Sequence, residues 1–370
     1  LQRMINRLGD YCSRWGLELN LAKSKVMVFR NGGKQGAKER WWYRGQEIAV
    51  VNKFTYLGVL MTPTRTFAPH LLEKSATARL AISGMWKNFL FHPRVSFVEK
   101  LKVFEAVARS ILCYSSQVWG FVYSDYVERV LRFFVKSVFS LPKCTPNYIL
   151  FLETQLKPLY VYTLRMHFYY ILKVMKMSED RLPNYLAKKC VQLNIYWAKE
   201  WEVLRLKYNV PLNPHIELTE WKAMIDKSLE TIDQSMRSEF ERKALSAQNH
   251  PQYLALRGER DVVPLCKIED FQVQRWFLKI RGDLLALKHR PYEAQDQLCD
   301  LCSSGDVENA YHFIGKCTAM MGVRRRYLGR TELGWEEYME LIKSNDLRLI
   351  KYCSVAWKLR RIAMIEYGFM

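Results

Sequence analysis

Trp15-Gly16-Leu17-Glu18-Leu19-Asn20-Leu21-Ala22-Lys23-Ser24-Lys25-Val26-Met27-Val28-Phe29, taken with Phe54-Thr55-Tyr56-Leu57-Gly58-Val59, sets the reading of the whole chain. The first stretch reads as a helix end, a turn, a basic corner and a short strand. Gly16 stops the helix, and the apolar run from Val26 to Phe29 lies between Lys25 and the turn residues Asn31-Gly32-Gly33. The second stretch reads as another strand, closed by Gly58. Two short strands with a basic loop between them predict a small sheet at the edge of something larger, and that larger part is expected upstream of Leu1.

Asn20-x-x-Lys23-Ser24, an apolar strand, and then Phe54-x-Tyr56-Leu57-Gly58-Val59 together resemble the end of a reverse-transcriptase palm, that of the non-LTR (LINE-type) retrotransposons above all. Ser24 stands where the family usually has Thr, which keeps the hydroxyl. The resemblance implies that a catalytic Asp-Asp hairpin precedes Asn20, that Tyr56, Leu57 and Gly58 form the primer grip, and that Lys23 corresponds to the lysine near the pyrophosphate leaving group. There an ammonium stabilises developing negative charge or donates a proton. Read without the family, Lys23 and Lys25 are solvated lysines at a corner, the usual fate of lysine in a turn.

The chain has 370 residues, 49% of them apolar and 14% aromatic, which is enough for two or three domains with real cores and excludes a disordered chain. Its formal net charge of +20 implies a polyanionic partner. Aromatic residues interleaved with the charge favour nucleic acid over an anionic membrane, because bases stack on rings. The longest charge-free run, 110–124, is fifteen residues and partly polar, too short to span a bilayer. The first helix carries Arg3, Arg7 and Asp10, so no signal peptide is visible. Nine scattered cysteines in such a chain read as reduced thiols. The expected address is the nucleus or a cytoplasmic ribonucleoprotein, not the secretory route.

Leu1, Met4, Ile5, Leu8, Cys12 and Trp15 recur at helical spacing and predict an amphipathic helix over 1–15 with one buried face. Residues 31–40 read as a basic loop, and their glycines do not form a phosphate-binding loop. Trp41-Trp42-Tyr43 and Ile48 to Val51 read as strands, with one tryptophan on each face. One is core; the other either stacks on a base or covers the sheet edge. From Phe67 the period becomes helical: Phe97, Leu101, Phe104, Ala108 and Ile111 mark one helix, and Val127, Val130, Leu131, Phe134 and Val138 another. Arg129, Arg132 and Lys136 form a basic stripe on the second, either a solvated face or, as in a polymerase thumb, a track for the primer–template backbone. Leu141-Pro142, Thr145-Pro146, Glu153 and Pro158-Leu159 also resemble the pattern that follows the thumb in this family, as does Leu278-Lys279-Ile280-Arg281-Gly282 the segment before its zinc site.

Cys299-x2-Cys302-x9-His312-x4-Cys317 is the most specific chemical signal. Four such ligands within nineteen residues suit a tetrahedral, closed, structural Zn²⁺ site, with Gly305 turning the loop between the half-sites. The resemblance agrees, since these reverse transcriptases often carry a Cys-Cys-His-Cys knuckle after the thumb. Lys316 and the run Arg324-Arg325-Arg326-Tyr327 behind it are candidate nucleic-acid contacts, and further helices are expected around 335–342 and 347–362.

Two-metal phosphoryl transfer needs paired carboxylates, and the sequence contains no Asp-Asp; Glu179-Asp180 lies after the thumb. The expected fold is α+β. A small antiparallel palm-edge sheet (1–65) is followed by a helical thumb (66–158), a helical connector (159–290) and a zinc-knuckle lobe with C-terminal helices (291–370). The expected function is that of the C-terminal segment of an RNA-directed DNA polymerase, binding RNA and DNA. Mg²⁺ is expected only for a complete parent with its upstream polymerase half. The alternatives are a non-enzymatic zinc-containing nucleic-acid binder derived from such an element, and a zinc-stabilised helical interaction module whose charge is incidental.

Overall fold

The computed structural model describes residues 1–30, 36, 38–64, 66–259, 261–289 and 296–368; the expected turn Asn31-Gly32-Gly33 lies outside the described residues, as does most of the basic loop 31–40. The chain forms two compact units, Leu1–Thr77 and Ala78–Met370. Among the described residues no helix is long and apolar enough to cross a membrane.

The first unit is a helix and two hairpins. The helix Gln2–Arg14 buries Ile5, Gly9 and Cys12, and Gly16 at φ +62° turns the chain away so that the Leu17 amide donates to the Cys12 carbonyl at 2.8 Å. Strand β1 (Trp41–Tyr43) pairs antiparallel with β2 (Gln46–Ile48) through Arg44-Gly45, at φ +46° and +80°. Strand β3 (Phe54–Tyr56) pairs with β4 (Val59–Met61) through Leu57-Gly58, at φ +46° and +78°. Both are two-residue turns with left-handed backbone at each position, and the glycine follows a residue that tolerates it at a cost. The core is Ile5, Tyr43 and Ile48, joined by Leu19, Leu21, Val26 and Trp41. The sheet is antiparallel and small, but it is two separate hairpins.

Three expectations are corrected here. The run from Val26 to Phe29 is not a strand: only Val26 pairs, in an isolated parallel bridge to Val50, and the Arg30 amide turns instead to the Pro63 carbonyl at 3.0 Å. The strand expected at Ile48–Val51 ends at Ile48, because the Arg44-Gly45 turn fixes its register with Ile48 opposite Trp41. In the first helix, Met4 (70% exposed), Trp15 (64%), Leu1 and Leu8 lie outside the core. A hairpin of two three-residue strands is too small to cover the whole apolar stripe, and it takes the edge that holds Ile5, Gly9 and Cys12. Of the tryptophan pair, Trp41 packs on the core and Trp42 is exposed, with the Arg40 guanidinium 5.5 Å from its ring.

The second unit is helical. One of its cores lies among the helices Leu159–Met175, Leu182–Gln192, Trp197–Tyr208 and Trp221–Leu245, with Phe168, Trp201 and Trp221 fully buried in it. The Trp201 indole N–H donates to His167 Nε2 at 3.3 Å, which leaves His167 Nδ1 to donate to the Gln117 carbonyl at 3.0 Å. Burial lowers the His167 pKa to about 4, so the imidazole is neutral and serves as a fixed bracket. Gly120 allows a close helix approach: a Cβ there would strike the Thr163 and Ser116 carbonyls, and the Thr163 hydroxyl donates to the Gly120 carbonyl at 3.1 Å.

Two buried carboxylates tie the helices together. Glu128, on the helix Asp125–Phe139, accepts the Tyr160 amide at 2.8 Å and so caps the helix Leu159–Met175, whose start is set by Pro158. Burial is the main cause that raises its pKa, to about 7. Glu153, on the helix Asn147–Thr154, pairs with Arg281 at 3.0 Å and accepts the Tyr253 hydroxyl at 3.1 Å; both ends of the ion pair are buried. Arg281 also donates to the carbonyls of Ile342 (3.1 Å) and Val263 (2.7 Å) and to Asn345 Oδ1 (2.8 Å).

Arg281→Met leaves the buried Glu153 carboxylate without its counter-charge, with only the Tyr253 hydroxyl, and the Ile342 carbonyl without the guanidinium, so urea unfolding should show a loss of about 3–5 kcal/mol; a loss under ~1 kcal/mol would count against this network. For Glu128, a folded pKa above the unfolded one means the folded state binds the extra proton. The stability it supplies is full below the unfolded value, near 4.5, and is lost as pH rises to about 7. The difference in unfolding free energy between wild type and Glu128→Gln, measured at pH 5 and pH 7.5, should move in favour of the variant at the higher pH.

Candidate metal centre

The four expected ligands converge because two local turns bring them together. The chain from Gln297 to Glu308 folds back on itself: the Cys299 amide donates to the Asp306 carbonyl at 3.0 Å and the Glu308 amide to the Gln297 carbonyl at 2.8 Å, around Gly305 at φ +70°. That places Cys299 on one arm and Cys302 in the loop. The second half-site is the π-helical turn His312–Lys316. The Cys317 amide donates to the His312 carbonyl at 2.7 Å, an i, i+5 bond, so the x4 spacing of the motif is one wide turn of backbone.

The ligand atoms of Cys299, Cys302, His312 and Cys317 all lie within 4.8 Å of one another, and three of the four residues are buried. His312 Nε2 is 3.4 Å from Cys302 Sγ. A tetrahedron with Zn–S near 2.3 Å and Zn–N near 2.0–2.1 Å has edges of about 3.5–3.8 Å, so the set fits Zn²⁺ with small adjustment. The donor set is soft and complete, which is the character of a structural site without an open position. Sharing of a proton with Cys317 comes first among the causes that push the Cys299 thiol up to about 12, and the same bond holds the Cys317 thiol below its ordinary value. Burial opposes the charged form of His312, yet its contacts with Cys299 and Cys302 more than offset that and raise its pKa. The four groups are electrostatically tied to one another, and a cation that takes the place of their protons satisfies all of them.

The surroundings fix the ligands. His312 Nδ1, the ring nitrogen turned away from the sulfur atoms, faces Asp306 Oδ2 at 3.6 Å, the arrangement that orients a metal-bound imidazole. Glu308 Oε1 is 4.0 Å from Cys299 Sγ, and the same carboxylate holds the buried Arg360 guanidinium through two bonds of 2.7 Å. Three thiolates with Zn²⁺ leave one net negative charge, which buried arginines nearby complement. Asp306, Glu308 and Arg360 carried no signal in the sequence, because Arg360 reaches the lobe from a helix far along the chain.

The expectation for Arg324 is corrected. Its guanidinium is fully buried and donates to the carbonyls of Ile314 (2.6 Å), Thr331 (2.5 Å) and Cys317 (2.8 Å), so it clasps the knuckle from behind and is not available to a phosphate. Arg325 and Arg326 are exposed on the same helix, Met321–Leu328, and Lys316 pairs with Glu332. On the helix Asp125–Phe139, Asp125 pairs with both Arg129 and Arg132, and Lys136 donates to the Lys143 carbonyl at 2.6 Å, so the stripe is partly neutralised. In the first unit, Lys23 and Lys25 are exposed. The Asn20 carbonyl and side-chain oxygen accept the Lys23 amide at 3.2 and 3.1 Å, so Asn-x-x-Lys is a side-chain-capped turn that presents the lysine. Tyr56 (56% exposed) and Leu57 (74%) stand with Gly58 at the tip of the second hairpin, and Gly58 belongs to its turn, not to a strand end.

No family model matches the chain, and no solved structure does. Among known proteins it matches the "Probable RNA-directed DNA polymerase from transposon X-element" of Drosophila melanogaster, 21% identical over 130 residues, 35% of this chain and 14% of that protein. It also matches the "RNA-directed DNA polymerase from mobile element jockey" of Drosophila funebris, 22% identical over 132 residues, again 35% and 14%. The chain is similar in sequence to RNA-directed DNA polymerases of LINE-type mobile elements. The similarity is distant and partial, and the matched part is a small fraction of those proteins' length.

The purified chain should carry one zinc ion per molecule by elemental analysis. Cys317→Ser, which removes one ligand while leaving the fold of the other helices, should lose it, and Co²⁺ in its place should give the absorption of a tetrahedral thiolate site. Full zinc content in that variant would exclude this ligand set.

Proposed function

We propose that this chain acts as the nucleic-acid-binding, C-terminal portion of an RNA-directed DNA polymerase of a non-LTR retrotransposon. The observation that carries the reading is the closed Cys-Cys-His-Cys site with a basic helix directly behind it, in a chain similar to such polymerases. In this reading 1–65 is the palm edge, 66–158 the thumb, 159–290 the connector and 291–370 the knuckle lobe. The exposed hairpin tip Tyr56-Leu57-Gly58 is the primer grip. Lys23 stands near the leaving pyrophosphate of a complete polymerase, with Lys25 on the adjacent backbone. Arg129, Arg132 and Lys136 track one strand of the primer–template, and Arg325 and Arg326 meet phosphates near the knuckle. Zinc is structural. Mg²⁺ and the carboxylates that hold it belong to the parent polymerase half, since this sequence has no Asp-Asp pair. That same absence supports a second reading, a zinc-containing nucleic-acid binder without catalysis.

Binding to an RNA–DNA duplex should weaken steeply with salt, with a log–log slope set by the number of phosphates neutralised. Replacing Arg325 and Arg326 together by Ala should reduce that slope by roughly 1–2 and weaken all sequences alike. Arg324→Ala should instead disturb the knuckle and release zinc. A chain that binds neither RNA–DNA nor DNA duplex at low salt refutes both readings.

A further inference from the structure

One side of the helix Phe271–Arg281 carries a row of cations that no carboxylate among the described residues offsets. At its start the Lys100 ammonium, which comes from the helix Phe97–Phe104, is buried 3.6 Å from the centroid of the Phe271 ring, with no hydrogen-bond partner among the described residues. One turn on, Arg275 donates to the Phe139 carbonyl at 3.1 Å and to the Ser140 hydroxyl. One further turn on is Lys279, which has no ion pair among the described residues. Burial, and after it the charge of Arg275, lowers the pKa of both Lys100 and Lys279 to about 8. A partly buried, unneutralised row of this kind is stabilised by any anion that reaches it.

The row borders a cavity of about 250 Å³ between this helix and the C-terminal helix Leu347–Glu366. Gln272, Arg275, Trp276, Lys279, Trp357 and, exposed at its rim, Ala286 line it. Trp276 and Trp357 meet edge to face, with ring centroids 6.0 Å apart. Trp357 is braced from behind by Phe313, the residue after the ligand His312, at 5.7 Å. The cavity lies just below the ~300–1,000 Å³ of pockets for drug-sized ligands, so it suits one planar ring system and excludes a duplex.

We infer that this cavity takes one unpaired nucleotide of a single-stranded segment, its base against Trp276 and Trp357 and its phosphate on Arg275 and Lys279. Indole faces stack on any base, the cations neutralise the backbone, and the Gln272 amide supplies a donor and an acceptor for a base edge. The inference rests on the nucleic-acid reading above and adds to it a strand form and a place.

The test compares three ligands on the full zinc-loaded chain: a blunt RNA–DNA hybrid, the same hybrid with a single-stranded tail, and adenosine monophosphate. The variants are Lys279→Gln, and Ala286→Trp, which fills the cavity from an exposed rim position and spares the core. The tailed hybrid should bind roughly tenfold tighter than the blunt one, as expected for stacking of one base. Both variants should abolish that preference while leaving the blunt affinity unchanged, with thermal unfolding checked alongside. Equal affinity for tailed and blunt hybrids, or a preference that survives both variants, overturns the cavity assignment and leaves duplex binding standing. Monophosphate binding that depends on Lys279 without any tail preference overturns it in favour of a free nucleotide. Failure to bind either hybrid overturns this inference and the nucleic-acid reading together.

Discussion

The buried ion pair between Glu153 and Arg281 is the constraint on which the second unit depends. Taking two charges out of water costs several kcal/mol each, and the cost is recovered only where every remaining donor and acceptor finds a partner. Arg281 spends its guanidinium on Glu153, on the Val263 and Ile342 carbonyls and on Asn345, while Tyr253 completes Glu153. Gln252 donates to the Ile280 and Arg281 carbonyls and accepts the Tyr338 hydroxyl at 2.8 Å. These residues come from four helices and the segments between them, so the network selects one arrangement and penalises any in which a single member is displaced. Gly282 is part of the same requirement. The chain turns back at once, with the Leu284 amide on the Lys279 carbonyl at 2.7 Å, and a Cβ at 282 would strike the Leu284 side chain.

The knuckle lobe solves a different problem. Its interior combines apolar side chains such as Ile314, Met320, Ile342 and Leu349 with the four-residue cluster and the rings of Phe313 and Tyr352. Its backbone carbonyls turn inward, and Arg324 satisfies three of them, while Arg360 answers Glu308 beside Cys299. Two buried arginines thus tie the lobe together beside a cluster that could hold a metal ion, and the helices Trp335–Lys343 and Leu347–Glu366 pack on it.

What the sequence disclosed follows from how far apart the interacting residues are. The four metal ligands are legible because local turns, one hairpin and one i, i+5 turn, bring them together; their spacing is their geometry. The helices and the proline-marked joints at 142–146 and 158 are legible for the same reason. Glu153–Arg281 and Glu308–Arg360 are not, since nothing local in either partner says that it is buried. Other errors were readable in principle. Arg44-Gly45 and Leu57-Gly58 each place a glycine at the second position of a two-residue turn between strand-forming residues, and Gly58 is a turn residue. Met320, Arg324 and Leu328 recur at i, i+4, i+8, and all three are buried, so the spacing separates the inward arginine from Arg325 and Arg326. The first helix differs for a physical reason: its apolar residues form one stripe, and the small hairpin covers only the edge of it that holds Ile5 and Cys12, which periodicity alone does not reveal.

Total charge is a weak guide to where a polyanion would lie; uncompensated charge is a better one. Many of the individual cations are spoken for locally. Asp125 answers Arg129 and Arg132, Glu47 answers Arg40, Glu332 answers Lys316, and Arg324 and Arg360 are consumed inside the lobe. An exposed pair of this kind is worth little to stability, yet it weakens the attraction that a phosphate would feel. The cations left without a carboxylate are therefore the informative ones. Arg275 and Lys279 stand out among them because they are partly withdrawn from water, where a charge is costly to leave alone, and because two indoles flank them. On a solvated face a lone lysine needs no explanation; in a cleft walled by tryptophan its cost must be met by what enters the cleft, and an anion with a planar ring meets both walls at once.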